Sequence, residues 1–377
     1  KPGGSMFTLP AMDQVSSISP GGFGRHRSRV RQLPEFDREL PASTLAEEIT
    51  TAGEGQIKAL FTGAGNPVLS TPNGRQLDEA LEQLDFMVSL DPWINETTRH
   101  ADIILPPTSP LEHDHYDIGF HINAIRNTTR YNEPVFEKPE EALHDWEIFT
   151  ELGNRVAEAL GEEPRAPTAP HELVDMALKF GPYGEAQGSD HALTLDKLKA
   201  NPSGIDLGPL QPMLPERLMT PEKRIRCDVP ETLSDLARLK AEFSGDRDGL
   251  LRLIGRRHVR SNNSWMHNYH RLVKGKDRCT LMMHPEDMAH RDIADGDEVA
   301  LSSRAGTVHV SVEATEDVMP GVVSLPHGFG HNRDGIRMET AVKHAGVSCN
   351  DVTDEQYLDQ LSGNAAVNGV PVSVQPV

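Results

Sequence analysis

Apolar residues change their spacing twice along this chain, and the changes divide it. Residues 1–50 are rich in Gly, Pro, Ser and Arg without a period, which predicts an irregular lead-in. Regular structure is expected from Ile57. Ile57-Lys58-Ala59-Leu60-Phe61 reads as a short apolar strand that runs into the Gly-rich turn Thr62-Gly63-Ala64-Gly65-Asn66-Pro67. Leu77, Ala80, Leu81 and Leu84, three and four residues apart, predict an amphipathic helix. Phe86-Met87-Val88-Ser89-Leu90 is a second buried strand ending at Asp91-Pro92. Ala101-Asp102-Ile103-Ile104-Leu105 is a third, stopped by Pro106-Pro107. Strand, helix, strand, short crossing, strand indicates a parallel α/β sheet.

A further helix is expected over residues 142–160, with Trp146, Phe149, Leu152 and Val156 on one side. From 162 to 249 the pattern weakens. Short helices near 171–180 and 233–243 alternate with Pro- and Gly-containing stretches, which suggests connecting structure over the surface. From Leu250 the period becomes two. Leu251 and Leu253, Leu281 and Met283, Val299 and Leu301, Val308 to Val312, Val322 to Leu325, and Val370 to Val374 mark short strands. Asp295-Gly296-Asp297 and Arg304-Ala305-Gly306 supply tight turns. Many short strands with few helices predict a compact β-barrel of roughly 130 residues. The expected division is therefore a lead-in at 1–50, an α/β half-domain at 51–165, a connecting region at 166–249 and a barrel at 250–377. No internal repeat is evident.

Charge narrows the function. Thirty-seven basic and 57 acidic residues give a net charge of −20, which repels a polyanion and argues against nucleic acid as a partner. The basic residues cluster locally at 25–31 and 252–260, a distribution that suits a small phosphorylated ligand, although an ordinary solvated face is the commoner explanation. No apolar run is long enough to span a bilayer, and no secretory segment opens the chain. Cys227, Cys279 and Cys349 form no C-x-x-C pair, so neither a zinc knuckle nor an iron–sulfur motif is present, and a cytoplasmic location is the default. The opening Lys1-Pro2-Gly3-Gly4 reads as the start of a cleaved or truncated polypeptide.

Four clusters carry candidate chemistry. The first lies beyond the carboxyl ends of the sheet strands, where ligands of parallel sheets bind: Gly63, Gly65, Asn66 and Pro67, then Asp91, then Pro106, Thr108 and Glu112. Each alone is an ordinary turn; their common placement gives them weight, although the G-x-G-x-x-G fingerprint is missing. The second, Glu112-His113-Asp114-His115, has metal-ligand residue types. On a strand only alternate residues converge, so a polar loop is the plainer reading. The third is Gly255-Arg256-Arg257-His258-Val259-Arg260-Ser261-Asn262-Asn263-Ser264-Trp265-Met266-His267-Asn268. Its arginine forks suit phosphates, and its amides and hydroxyls suit the edge of a heterocycle. The fourth is Leu325-Pro326-His327-Gly328-Phe329-Gly330-His331, followed by Ser348-Cys349-Asn350-Asp351. Either histidine is a candidate base, with a turn residue the commoner alternative.

Taken in order, these pieces resemble the molybdopterin-dependent oxidoreductases of the dimethyl-sulfoxide-reductase family, with a leaning toward formate-dehydrogenase-like or acetylene-hydratase-like members. The resemblance rests on Gly65-Asn66-Pro67, Asp91 with Glu96-Thr97, Ala101 to Pro106 and Glu112. It continues through Arg257 to Asn268, Asp295-Gly296-Asp297, Gly306, Pro320-Gly321-Val322-Val323, and Asn350 with Thr353-Asp354. It implies a double-psi type of barrel and a molybdopterin guanine dinucleotide cofactor with molybdenum or tungsten. By position, Asn66, Asp91, Thr97 and Asp102 would hold a nucleotide end. Arg257, Ser261, Asn262, Ser264, His267 and Asn268, with His327 and Asn350, would contact pterin and phosphate. Such enzymes also carry a four-cysteine motif for a 4Fe-4S cluster, a Cys, selenocysteine or Ser metal ligand, and a second nucleotide-binding half. None is in this sequence.

The expectation is therefore a chain that binds cofactor for two-electron or oxygen-atom transfer on a small-molecule substrate but is inactive alone. It would be the C-terminal part of an enzyme whose missing half, or separate subunit, supplies the metal ligand, with an electron-transfer partner possible. No residue here is assigned a proton transfer, and no metal ligand is expected. The rivals are a non-catalytic cofactor-binding or assembly subunit, and a hydrolase built on the Glu112–His115 or His327–His331 clusters.

Overall fold

The computed structural model describes residues 8–13, 22–244 and 249–377; the Lys1-Pro2-Gly3-Gly4 opening lies outside them. Two compact units emerge, one from residues 21–106 with 230–377, the other from residues 107–229 with 1–20.

In the first unit, Ala59–Gly63, Phe86–Leu90 and Ile103–Ile104 pair side by side in parallel, in sequence order. The helix Gly74–Leu81 crosses between the first two. Asn73, in the left-handed region at φ 53°, starts it by accepting the Gln76 amide. Leu77, Ala80 and Leu81 are buried with Val68, Ile49 and Met87. Each leucine so buried contributes about 1.5–3 kcal/mol. On the opposite face Phe61, Phe86 and Ile103 are partly exposed, although parallel sheets are ordinarily covered on both faces.

The lead-in is more regular than its sequence suggests. Phe23–Arg27 pairs antiparallel with Pro34–Phe36, and Leu45–Thr50 is a helix whose Ala46 and Ile49 join the core just described. These elements are too short to display a period, and side chains hold them instead. Glu35 accepts the amides of Arg25 and Arg38, Arg29 pairs with Glu48, and Arg31 with Glu47. Arg29 and Arg31 of the basic run 25–31 are thus engaged in holding this segment.

The barrel is closed by six strands in the order Leu251–Arg256, Val322–Pro326, Leu281–Met283, Thr307–Ala314, Glu298–Ser302, Val370–Pro376. Two of its pairs are parallel: the first strand with Val322–Pro326, and Leu281–Met283 with Thr307–Ala314. Alternate residues point inward, which buries Leu251, Leu253, Leu281, Met283, Val299, Leu301, Val323 and Leu325 in one core. Gly296, at φ +88°, lets the Asp295-Gly296-Asp297 turn close, and the Ser303 amide reaches the Gly306 carbonyl at 2.9 Å to tie the second turn. The helix Pro230–Ser244 presents Leu233, Leu236 and Leu239 to solvent.

The second unit spans the end of the expected half-domain and most of the expected connecting region. Residues 107–229 carry a core of their own, built from Tyr131, Val174, Leu178, Leu193, Leu195, Leu198 and Leu207. Among its helices, Pro170–Phe180 was expected near residues 171–180, whereas the five-residue Leu195–Lys199 is too short to show a period. The helix Asp145–Ala159 forms as expected in extent, but its buried residue is Ile148. Phe149 and Val156, expected on the packed side, are exposed. No helix among the described residues is long and apolar enough to cross a membrane.

Candidate functional site

Two sets of loops in the sheet-and-barrel unit build a cradle. From the sheet comes the turn after Ala59–Gly63. Pro67 opens the helix Pro67–Ser70, and Asn66 precedes it. Asn66 is held on both sides of its amide: Oδ1 accepts the Thr97 hydroxyl at 2.7 Å, and Nδ2 donates to Glu96 Oε2 at 2.7 Å. From the barrel comes the segment after Leu251–Arg256. Asn262 and Asn263 both take left-handed backbone angles, φ 42° and 58°, which asparagine tolerates better than other side-chain-bearing residues. Gly328 stands at φ +94°, and a Cβ there would lie 2.1 Å from the Asn263 carbonyl oxygen, so only glycine lets these two barrel loops meet.

The result is a cavity of about 330 Å³ whose walls include Gly65, Asn66, Arg257, Ser264, His327 and Asn350. A neighbouring cavity of about 580 Å³ shares Arg257, Asn263 and His327 and adds Ser261 and Asn262. Neither is lined by a carboxylate, in a chain of net charge −20. Arg257 makes no ion pair among the described residues; its partner is the Asn263 side chain. Burial, then the Arg257 charge, pulls His327 below the ordinary histidine value, so this imidazole presents a neutral edge.

The remaining sequence candidates fall elsewhere. Asp91 is buried and accepts the Trp93 amide at 2.8 Å and the Asn95 side chain at 3.1 Å. Thr97 is buried behind Asn66 and also accepts the Val68 amide. Asp102 accepts the Met87 amide at 2.7 Å and starts the third strand. Asn268 accepts the amides of Thr340 and Ala341. Asn350 reaches the cavity, yet its side chain is spent on the Leu69 carbonyl and the Thr353 hydroxyl. His267 lies fully buried behind the wall. Of the basic run 252–260, Arg256 is turned inward onto the carbonyls of Ser324, Arg278 and Thr280. The residues of the smaller cavity's wall that sequence reasoning did not mark individually are Ala64, Leu69, Ser70, Asn263, Trp265, Gly328 and Val367. Asn263 and Trp265 stood inside the segment it singled out, and the Gly328 signal was the Gly-Phe-Gly punctuation.

Among the described residues no group of three or more His, Cys, Asp or Glu is placed to hold a metal. In the Glu112–His115 stretch, Glu112 accepts the Ser109 amide, His113 meets the Asp114 carbonyl, and Asp114 takes the Tyr131 hydroxyl. Cys279 and Cys349 are buried thiols, pushed by burial up to about 11 and about 12 respectively.

Asp91 carries a pH prediction. Burial pushes its carboxyl up to about 6 from 3.8, against the pull of the Trp93 and Asn95 hydrogen bonds. A raised carboxyl is a folding penalty on the ionised form, absent below about pH 4 and complete above about pH 6, at roughly 1.4 kcal/mol per unit. Stability referred to this group therefore falls as pH rises through that window. Asp91→Asn is expected to gain on the unsubstituted chain between pH 4 and pH 7 by a few kcal/mol in urea unfolding. A difference that stays constant across those pH values would count against the assignment.

An acid-free cradle with an unpaired arginine, amides and hydroxyls on its walls, and the bare Gly65 backbone at a strand end suits a phosphate joined to a heterocycle. Sheet and barrel together thus define an α/β protein with a closed barrel domain. Family models agree: one described as molybdopterin oxidoreductase matches residues 11–155, and one described as molydopterin dinucleotide binding domain matches residues 251–371. The chain belongs to the molybdopterin oxidoreductase family. It is 24% identical over 321 residues to the assimilatory nitrate reductase catalytic subunit of Bacillus subtilis, covering 80% of this chain and 42% of that one. It is 28% identical over 325 residues to the F420-dependent formate dehydrogenase 2 subunit alpha of Methanococcus maripaludis, covering 84% and 46%. The chain thus spans less than half the length of these relatives. Acetylene hydratase from Pelobacter acetylenicus shares the fold, with a TM-score of 0.63 at 16% identity over 90% of this chain and 47% of that one.

Proposed function

We propose that this chain holds a molybdopterin guanine dinucleotide within a molybdenum- or tungsten-dependent oxidoreductase. The observation that carries the reading is the acid-free cavity in which Asn66 from the sheet faces Arg257, Ser264 and His327 from the barrel. Arg257 would take a phosphate in its guanidinium fork, and Asn262, Asn263 and Ser264 would meet a heterocycle edge. Bound there, the cofactor's metal would supply two-electron or oxygen-atom chemistry on a small molecule. The residues of this chain bind and orient it and exclude water. The barrel's two parallel pairs support the double-psi type that the resemblance implies.

Because the relatives are about twice as long, we assign the metal ligand, the 4Fe-4S cluster and the second nucleotide-binding half to polypeptide outside these 377 residues. This chain would then be inactive alone, as the C-terminal part of the enzyme. The words "subunit alpha" in several relatives' names support partner subunits, an electron-transfer protein among them. Three free cysteines support a reducing, cytoplasmic setting.

Guanosine diphosphate, the nucleotide end of that cofactor, is the probe. Titration calorimetry is expected to show binding to the chain, and Arg257→Ala is expected to weaken it by about 1.5–3 kcal/mol, the usual worth of a charge-assisted hydrogen bond, or roughly 10- to 150-fold. Binding unchanged by Arg257→Ala, or absent from both proteins, would remove the support for this site.

A further inference from the structure

A chain of buried polar groups runs behind both cavities and is used by nothing described so far. Ser261, on the wall of the larger cavity, sets its hydroxyl 2.9 Å from His267 Nε2. His267 Nδ1 lies 2.9 Å from His331 Nε2, and His331 Nδ1 lies 2.7 Å from Glu96 Oε1. The second Glu96 oxygen accepts Asn66, on the wall of the smaller cavity. His267, His331 and Glu96 are each 0–1% exposed. Two cavity-wall side chains, one from the barrel and one from the sheet turn, are thus wired together through three groups shielded from water.

We propose that Ser261, His267, His331 and Glu96 form a proton-positioning relay whose one exchangeable proton decides whether the Ser261 hydroxyl offers the cavity a donor or an acceptor. Each imidazole has one donor and one acceptor when neutral, so the hydrogen bonds must all point the same way. With Glu96 ionised and both imidazoles neutral, His331 Nδ1–H donates to Glu96. His267 Nδ1–H then donates to His331 Nε2, and the Ser261 hydroxyl donates to His267 Nε2. Ser261 then shows the cavity only lone pairs. One proton delivered from the cavity to the Ser261 oxygen reverses the outer half by passing along these bonds: Ser261 gives its own hydrogen to His267 Nε2, and His267 gives its Nδ1 hydrogen to His331 Nε2. His331 then donates from both nitrogens, His267 donates from Nε2 to Ser261, and the serine hydroxyl is free to donate toward a ligand oxygen. No heavy atom has to move, and no bond other than N–H and O–H bonds is made or broken.

The surroundings bear on both states. Burial pushes the Glu96 carboxyl up, but the hydrogen bond and charge of His331, with the Asn66 hydrogen bond, outweigh it and hold the group below its ordinary value. His267 is pulled down to about 3, by burial first, then by the charges of His331 and Arg278. The Gly328 carbonyl and Glu96 oppose that. His267 therefore stays neutral and passes the polarity of His331 along without taking a charge itself. Its ring packs on Phe329, 4.3 Å between centroids, which fixes its plane.

The relay is a positioning device toward the cofactor and rests on the proposed function only in its consequence for ligands, so the test has two independent readouts. Nitrogen-15 NMR of the histidine side chains in the whole chain reads the relay directly. At high pH both His267 and His331 are expected to carry their proton on Nδ1. On acidification His331 is expected to gain a second proton while His267 exchanges Nδ1–H for Nε2–H at the same midpoint. Independent midpoints, or a His267 proton that stays on one nitrogen throughout, would overturn the proposal. Glu96→Gln is expected to abolish the coupled step. Because that variant removes a buried charge and risks unfolding, Ser261→Ala serves as the second: it is expected to leave the His331 midpoint in place and to shift only the His267 Nε2 resonance. In parallel, the affinity for guanosine diphosphate is expected to rise several-fold on the acid side of that midpoint, and to lose this pH dependence in Ser261→Ala. Coupled histidine titration without nucleotide binding would leave the relay standing and remove the cofactor reading. Nucleotide binding with uncoupled histidines would do the reverse.

Discussion

Gly328→Ala is expected to destabilise the chain by about 2–5 kcal/mol and to close the cradle at the same time. The residue sits at φ +94°, and the added methyl would fall 2.1 Å from the Asn263 carbonyl oxygen and 3.1 Å from the Ser264 amide nitrogen. Both neighbours are backbone, so no side chain can swing aside. Relief requires the Asn263–Ser264 loop to retreat, and that loop is cavity wall. A urea midpoint would record the loss of stability, and guanosine diphosphate titration the loss of the site. Gly65→Ala is the contrasting case. Its new methyl would meet the Gly63 carbonyl and Pro67 only at 3.8 Å, so the fold is expected to keep its stability while the methyl stands where a ligand would approach the backbone. If Gly328→Ala bound nucleotide as before with an unchanged midpoint, the packing of these two loops would not be what shapes the cavity.

The second large effect lies in the barrel core. Leu281 is fully buried on the short strand Leu281–Met283, which is paired on both sides. Leu281→Ala is expected to cost about 2–5 kcal/mol through lost apolar burial and the cavity left behind. Set against total stabilities of about 5–15 kcal/mol, that is a large fraction. Val259→Ala, at a side chain 92% exposed, is expected to change stability by no more than about 0.5 kcal/mol in the same assay. Equal effects at the two positions would contradict the core assignment.

What could be read in advance follows from how each element advertises itself. The barrel strands alternate strictly, because one face of each packs inward and the other meets water; Val308, Val310 and Val312 could be placed from spacing alone. The sheet strands, short apolar runs closed by Gly or Pro, were equally plain. The hairpin Phe23–Arg27/Pro34–Phe36 and the core of residues 107–229 were not. Both are assembled from pieces of two to eleven residues whose order comes from long-range partners such as Glu35 or Leu193. In the cradle, residue types identified the Arg257–Asn268 segment. They did not separate wall residues such as Asn262 and Ser264 from supports such as His267 and Asn268, because that distinction depends on which way a loop turns. Asp91 illustrates the limit: a carboxylate at a strand end suits a ribose, and spacing did not show that each of its oxygens also accepts a hydrogen bond from the neighbouring turn. The relay was legible only as unrelated letters, since Glu96 and His331 stand 235 positions apart.

The strand Val370–Pro376 fills the gap between Leu251–Arg256 and Glu298–Ser302. During synthesis the barrel's first strand must therefore wait, unpaired on that edge, until residues 370–376 have left the ribosome. Pairing over so long a stretch of chain is slow to find and leaves apolar edges open meanwhile. The sheet strands, all within residues 59–104, face no such delay. The cradle draws one wall from each, so it comes into being only when the last strand docks. A ligand for it is met only after residues 370–376 have docked.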